Sequence, residues 1–196
     1  AQSFLTRDNY QDLLKDCFQT MKLFGSKVAF LPLGGSGKDW QQEGCAAYQQ
    51  MVSRLRTAGE MAKQEGITIG IRTGMGAKFD KKLLKKVGSS QIKVYYNFQD
   101  AADHHRDICK ELRKLGAQRI VQIHASNTDS VNLQEDPEIN LPKIRKTLDK
   151  MKWSGWLVVE RSRDVKRVRD VKYNFGRNIA YLKQVFQEVT VSGNNW

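Results

Sequence analysis

The sequence has no long apolar run, since none of its hydrophobic stretches approaches the roughly 20 residues needed to cross a bilayer. A signal-peptide pattern is also missing from its N-terminal residues, so we expect a cytoplasmic location without a membrane partner. Cysteine is scarce: there are three residues and no CxxC spacing, which argues against a zinc knuckle and against a disulfide framework. The three thiols are expected to be buried and reduced.

Acidic residues are few relative to basic ones, with 21 Asp and Glu against 33 Lys and Arg and a formal charge of +12. Such an excess favours contact with nucleic acid, anionic membrane surfaces or phosphorylated metabolites. No aromatic residues that would stack bases are interleaved with the basic segments, so nucleic acid is the less favoured partner. Two segments carry much of the charge: Lys78, Lys81, Lys82, Lys85 and Lys86 in the first, and Arg161, Arg163, Lys166, Arg167, Arg169 and Lys172 in the second.

Proline is also scarce, and no proline- or serine-rich linker divides the chain. Short apolar runs alternate with segments of helical periodicity, and glycine follows several of these segments. The pattern predicts an α/β fold of parallel βα units, in a single domain over residues 1–190 with a polar tail over 191–196. The predicted strands are KVAFLPL, ITIGI, IKVYY, RIVQIH and GWLVV, and the predicted helices include residues 8–24, 44–65, 80–87, 101–115 and 142–151.

Four consecutive apolar runs end on polar residues: Arg72, Asn97, His124 and Glu160. Because ligands of parallel α/β proteins bind at the carboxyl ends of the strands, these side chains are expected to share one rim. His124 and Glu160 are ordinary ligands for a divalent metal ion such as Zn²⁺ or Mn²⁺. A histidine at a strand end is often only hydrogen-bonded, but the carboxylate at the equivalent place on the next strand favours a functional site.

The order and spacing of several motifs resemble the xylose isomerase-like TIM-barrel family of sugar and sugar phosphate isomerases and epimerases. VQIHASNTD and KWSGWLVVERSRD are similar to the last two strands of that family with their following loops. KVAFLPLGG, GITIGIRT and IKVYYNFQDA fall where the family has its fourth to sixth strands, and LPKIRKTLDKM falls where it has its seventh helix. The resemblance covers nearly the whole chain.

The resemblance implies a divalent metal, Mn, Co, Mg or Zn, held by Glu, Asp, His and Glu from four successive strands. The two glutamates also move a proton next to the substrate carbonyl. By position, this chain supplies Arg72 for the first Glu, Asn97 for the Asp, His124 for the His and Glu160 for the second Glu. His124, Glu160 and Asn97 are thus the candidate metal ligands, Glu160 and Arg72 the candidate catalytic residues, and Asp100 a candidate substrate contact.

Arg72 departs from the family pattern because its guanidinium stays protonated, so it can neither ligate a metal nor act as a base. An Arg72–Glu160 ion pair across the rim is therefore expected, unless Arg72 binds an anionic group of the substrate. The loop after the fourth strand lies over the active site in the resembling family. This makes Asn127 and Asp129 candidate contacts for a polyol substrate, and a solvated loop is the alternative.

The chain supplies about five βα units, whereas the family barrel has eight. Two architectures remain open: a partial, five-unit TIM barrel, or an open flavodoxin-like sheet of five strands. Either would leave unpaired sheet edges, and such edges invite pairing with another chain. A homo-oligomer through an open edge is therefore expected.

Three functions remain open at this point. The first is a sugar isomerase or epimerase whose metal site is altered and possibly inactive. The second is a truncated or engineered barrel fragment without activity that folds and self-associates. The third is a basic nucleic-acid-binding relative, since a related branch of the same superfamily repairs abasic DNA.

Overall fold

The computed structural model describes residues 2–33, 38–126 and 129–187, with the side chains of residues 2, 3, 38 and 39 left aside. Within these ranges the strands form one parallel sheet in the order β1-β2-β3-β4-β5. The predicted strands are confirmed in number and order. They are β1 (Val28–Pro32), β2 (Thr68–Arg72), β3 (Ile92–Asn97), β4 (Ile120–His124) and β5 (Trp156–Val158).

The helices follow the sheet in the same order. Contacts join α2 to α3, α3 to α4, α4 to α6, α6 to α7, and α7 to α8. Such a layer covers one face of the sheet, which is the arrangement of half a TIM barrel. The helices are α1 (Gln2–Thr6), α2 (Tyr10–Leu23), α3 (Ala46–Gln64), α4 (Ala77–Val87), α5 (Phe98–Ala102), α6 (Ile108–Leu115), α7 (Leu141–Lys150) and α8 (Val171–Phe186).

The strand order decides between the two predicted architectures. A flavodoxin-like sheet has the order 2-1-3-4-5, with helices on both faces. The sequential order observed here makes the flavodoxin-like alternative wrong and the partial barrel right. The second face of the sheet is the open, concave side of the half-barrel.

The helix predicted over residues 101–115 is wrong, because two helices occupy this region. His105 adopts a left-handed conformation with φ of 51°, which ends the first segment shortly after α5. Asp107 then caps α6, since its side chain accepts a hydrogen bond from the Lys110 backbone N–H. In the segment between the two helices, Arg106 donates a hydrogen bond to the carbonyl oxygen of Gly74, just beyond β2, at 3.2 Å.

The buried core extends from Phe4 on α1 to Leu182 on α8. Cys109 belongs to this core, but Cys17 is exposed, which corrects the expectation of three buried thiols. The predicted tail over 191–196 lies outside the described residues. Among the described helices, none is both long and apolar enough to span a bilayer.

Gly70 in the middle of β2 permits close packing on the concave face. A Cβ atom at this position would lie 2.9 Å from Cγ1 of Val121 and 3.1 Å from Cβ of Tyr95. A glycine inside a strand often marks such an approach. The space leaves room for the Tyr95 ring, which contacts Phe30 at 4.8 Å between ring centroids.

Candidate functional site at the strand tips

The described strand tips bring the predicted rim residues to one end of the sheet. Arg72, Asn97 and His124 end β2, β3 and β4, and Asn97 is in register with His124. Glu160 follows β5 by two residues, beyond Val158, which is in register with His124. The structure therefore places the four residues at or just beyond the ends of neighbouring strands, as the polar ends of the apolar runs predict.

His124 and Glu160 are in contact. Nδ1 of His124 lies 3.3 Å from Oε2 of Glu160, and the imidazole is buried whereas the Glu160 side chain is 48% exposed. Burial lowers the pKa of His124, and nearby Arg72 lowers it further against the opposing charge of Glu160. A neutral imidazole thus lies beside a carboxylate that solvent and small molecules can reach.

Asn97 contacts the same ring nitrogen of His124 that faces Glu160. Its Oδ1 accepts a hydrogen bond from the Gln99 backbone N–H at 2.7 Å and so caps α5. This fixes the amide so that Nδ2 faces Nδ1 of His124 at 3.4 Å. The arrangement gives the Asn97 oxygen a structural role, although the sequence made it a candidate metal ligand.

Arg72 pairs with Asp100, and the predicted Arg72–Glu160 ion pair is wrong. Two hydrogen bonds join the side chains, Nε to Oδ2 at 2.9 Å and Nη2 to Oδ1 at 2.6 Å. This bidentate geometry is the strong form of the interaction, and the bond to Asp100 raises the pKa of Arg72. Asp100, a candidate substrate contact, has its carboxylate occupied by the arginine.

Asp129 is also engaged by arginine. Arg161 and Arg163 both donate to its carboxylate at distances of 2.6–3.1 Å. These hydrogen bonds hold the pKa of Asp129 well below its usual range. The two arginines directly follow Glu160 in the segment ERSRD, and their spacing of two residues is a signal that both can reach one partner. Asn127, the other candidate substrate contact in this loop, lies outside the described residues.

Three buried asparagines hold the loop that carries Glu160. Asn178 and Asn132 each donate to the carbonyl oxygen of Ser162, at 2.7 and 3.2 Å. Asn174 accepts from the Asp164 backbone N–H at 2.8 Å and from Asn132 at 3.0 Å. This network was missed in the sequence, where isolated asparagines give no sign of long-range partners.

Two aromatic rings, those of Tyr95 and Phe30, pack against the His124 ring on the concave face of the sheet. The Tyr95 ring lies 4.4 Å from the His124 ring, and the Phe30 ring lies 5.2 Å from it, measured between centroids. Phe30 is 41% exposed, and burial raises the pKa of Tyr95 to about 12, so its hydroxyl stays neutral. An exposed aromatic surface beside polar groups suits the apolar face of a sugar ring.

A buried carboxyl lies behind the rim. The Thr73 hydroxyl, just after β2, donates to Oδ1 of Asp80 in the first turn of α4. Burial raises the pKa of Asp80 to about 7, and the charge of nearby Glu111 contributes to the rise. Near neutral pH this carboxyl is therefore close to its midpoint, whereas an exposed aspartate would be ionised.

Asp80→Asn is expected to stabilise the protein at high pH. Because the folded pKa lies above the usual value of 3.8, the folded state keeps a proton that the unfolded state has lost, and stability falls as pH rises from about 4 through 7. The asparagine cannot ionise, so the variant escapes this loss. Urea unfolding should show that the stability advantage of the variant over the unsubstituted chain grows by more than about 1 kcal/mol between pH 5 and pH 8.

The matched control for Asp80→Asn is Asp16→Asn, at an exposed position of α2. Its free energy of unfolding should differ from that of the unsubstituted chain by the same small amount at both pH values. A stability difference for Asp80→Asn that does not change with pH would contradict the buried, proton-binding carboxyl.

The donor set at the rim does not fit a divalent ion. Of the four expected ligand positions, one is a cation held by Asp100, and another is an amide whose oxygen caps α5. His124 and Glu160 remain, whereas catalytic metal sites usually have three protein ligands. Within residues 2–33, 38–126 and 129–187, no group of three or more His, Cys, Asp or Glu side chains could hold a metal.

Comparison with known proteins gives a family and a set of similar structures. The model of the xylose isomerase-like TIM barrel matches residues 4–185. No curated protein matches the sequence. A D-psicose 3-epimerase structure determined in the presence of D-fructose is 12% identical, with a TM-score of 0.77 over 94% of this chain and 75% of that one.

Two further structures are similar. The 3-keto-D-glucoside 4-epimerase of E. coli is 11% identical, with a TM-score of 0.73 over 91% of this chain and 72% of that one. An AP endonuclease of family 2 from Brucella melitensis is 16% identical, with a TM-score of 0.68 over 88% of this chain and 70% of that one. At these identities the similarity establishes the fold alone.

Proposed function

Since the chain belongs to the xylose isomerase-like TIM-barrel family, we propose that its rim binds a small sugar or sugar phosphate. We further propose that its altered metal site transfers a proton next to the sugar carbonyl without a divalent ion. The observation that carries this proposal is the contact between buried His124 and half-exposed Glu160, at 3.3 Å. Two of the similar structures are sugar epimerases, which supports a sugar as the substrate class.

A single carboxylate is sufficient for a 1,2-hydrogen shift. Glu160 takes the proton from the carbon next to the carbonyl, and the same group returns it to the former carbonyl carbon. The imidazole of His124 gives a proton to the carbonyl oxygen and recovers one from the neighbouring hydroxyl, so that protons balance over the cycle. Triosephosphate isomerase, a different enzyme, combines a glutamate base with a neutral histidine in this way.

Arg72 supports this chemistry through its charge. Its guanidinium is partly buried and fixed by Asp100, so its orientation does not depend on substrate. A fixed cation beside the reacting carbon stabilises the negative charge of an enediolate as it develops. Arg72 therefore acts on the intermediate, where the family pattern would place a carboxylate ligand.

The experiment is a screen of ketoses, aldoses and their phosphates in deuterated water. Proton transfer at the carbon next to a carbonyl exchanges that hydrogen with solvent, and proton NMR detects the loss of the signal. We expect exchange with at least one sugar. Absence of exchange from every sugar, together with absence of saturable sugar binding, would contradict both parts of the proposal.

A specific observation favours self-association as a second function. β5 is an edge strand of three residues, and its Trp156 side chain is 74% exposed. We propose that a second copy pairs at this edge. The outer edge of such a strand leaves backbone groups unpaired, and an exposed apolar side chain beside it favours contact with another strand. The proposal is independent of the sugar chemistry.

Trp156→Glu is expected to weaken this association. In size-exclusion chromatography over a range of protein concentrations, the unsubstituted chain should shift toward a larger species, and the variant should remain monomeric. Phe24→Glu is the matched control, because Phe24 is 81% exposed but lies at the end of α2. A chain that is monomeric at every concentration, or equal effects of the two substitutions, would contradict pairing at β5.

A further inference from the structure

A second concave surface lies at the opposite end of the sheet from the rim. It is a cleft of about 550 Å³ between α4, the start of β3 and the turn before β4. Four cationic side chains line it: Lys81 and Lys85 from α4, Lys93 from β3, and Arg119 from the turn. No carboxylate is among its lining residues. Three separate elements thus bring positive charge to one small space.

The lysines of this cleft are not neutralised by neighbours. Within the described part of the chain, no carboxylate oxygen lies within 4.0 Å of the amino groups of Lys81, Lys85 or Lys93. Lys82, on the adjacent side of α4, instead pairs with Glu43 at 2.9 Å. The lysine outside the cleft therefore forms an ion pair, whereas the three lysines that line the cleft do not, among the described residues.

The backbone around the cleft is also compatible with an anion. α4 ends at Val87 and is capped by Gly88, next to Ser89 of the cleft, and the free carbonyl groups at a helix end repel negative charge. Here Arg56 donates to the carbonyl oxygens of Lys86 and Val87 and so covers this end. Arg119 donates to the Leu115 carbonyl oxygen at 2.9 Å, which fixes its guanidinium at the margin of the cleft.

We propose that this cleft binds a small anion carrying two or more phosphate groups. Its volume lies within the range of ordinary small-molecule sites, roughly 300–1,000 Å³. Its lining contains no aromatic side chain on which a base can stack, which favours a phosphate-rich ligand over single-stranded nucleic acid. Ser89 and Ser90 add hydroxyl groups that can donate to phosphate oxygens.

The test measures tripolyphosphate binding by isothermal titration calorimetry at low salt. The double variant Lys81→Gln/Lys85→Gln removes two cleft charges at exposed positions one helical turn apart. The matched control Lys146→Gln/Lys150→Gln removes two exposed charges with the same spacing on α7. We expect one tripolyphosphate site per chain. The affinity of this site should be at least about tenfold weaker in the cleft variant and should change by less than about twofold in the control.

Three results would overturn this inference: no binding of tripolyphosphate, equal weakening in both double variants, or a cleft variant that no longer folds while Lys93→Gln folds and binds normally. A duplex DNA and vesicles containing phosphatidylserine are titrated in parallel. Binding of either one that depends on Lys81 and Lys85 and resists displacement by tripolyphosphate would assign the cleft to that macromolecule and overturn the small-anion proposal. Displacement by tripolyphosphate would support it.

Discussion

Glu160→Gln should reduce solvent exchange into the sugar by about 10²- to 10⁴-fold, the usual contribution of a positioned acid–base group. The substitution keeps the size and hydrogen-bonding capacity of the side chain, so the 3.3 Å contact with His124 can persist. What is lost is the only carboxylate that reaches the rim without an arginine partner among the described site residues. The measurement is the rate of deuterium incorporation at saturating sugar.

The control for this prediction is Glu60→Gln, which changes the same functional group at an exposed position of α3. Its exchange rate should equal that of the unsubstituted chain. Sugar binding should survive in Glu160→Gln, because the aromatic surface of Phe30 and Tyr95 is unchanged. Exchange at the full rate in Glu160→Gln would show that another group moves the proton.

Asn174→Ala should destabilise the protein by about 3 kcal/mol, because it removes a fully buried side chain with four hydrogen bonds. Its amide nitrogen donates to the carbonyl oxygens of Arg167 and Asp170 at 2.7 and 2.9 Å. After truncation, these carbonyls, the Asp164 backbone N–H and the Asn132 amide are left without this partner. The measurement is the free energy of unfolding in urea.

Asn140→Ala is the matched control. Asn140 caps α7 through a single hydrogen bond to the Lys143 backbone N–H at 3.0 Å, so its loss should cost about 1 kcal/mol. Because Asn174 fixes the segment that follows Glu160, its substitution should also slow exchange, whereas Asn140→Ala should not. Equal stability losses in the two variants would contradict a structural role for the asparagine network.

Local patterns were sufficient to predict the strands and their tips. Each strand is a short apolar run. The polar residue that ends or directly follows the run lies at the carboxyl end of the strand, and this does not depend on tertiary contacts. The sequential sheet order was not settled by pattern, since a partial barrel and a flavodoxin-like sheet both use βα repeats. The break after α5 was missed because the left-handed residue there is His105, which carries no glycine signal.

The pairing of charges at the rim was not predictable from the sequence. Arg72 had two available carboxylates, and the sequence favoured Glu160 on the basis of its equivalent position. Asp100 is the partner of Arg72 because the first turn of α5 places its two carboxylate oxygens opposite Nε and Nη2 of the guanidinium. This choice depends on how α5 is placed against the end of β2, between residues 28 apart in the chain, which sequence periodicity does not specify.

The metal dependence of solvent exchange distinguishes the proposed carboxylate–imidazole site from a divalent-metal site. The unsubstituted protein is assayed in deuterated water with the sugar found by the screen, first with excess EDTA and then with added Mn²⁺ or Co²⁺. We predict the same exchange rate under all conditions, because His124 and Glu160 are too few to form a catalytic metal site beside the Arg72 cation. Exchange that is abolished by EDTA and restored by a divalent ion would contradict metal-free proton transfer at this site.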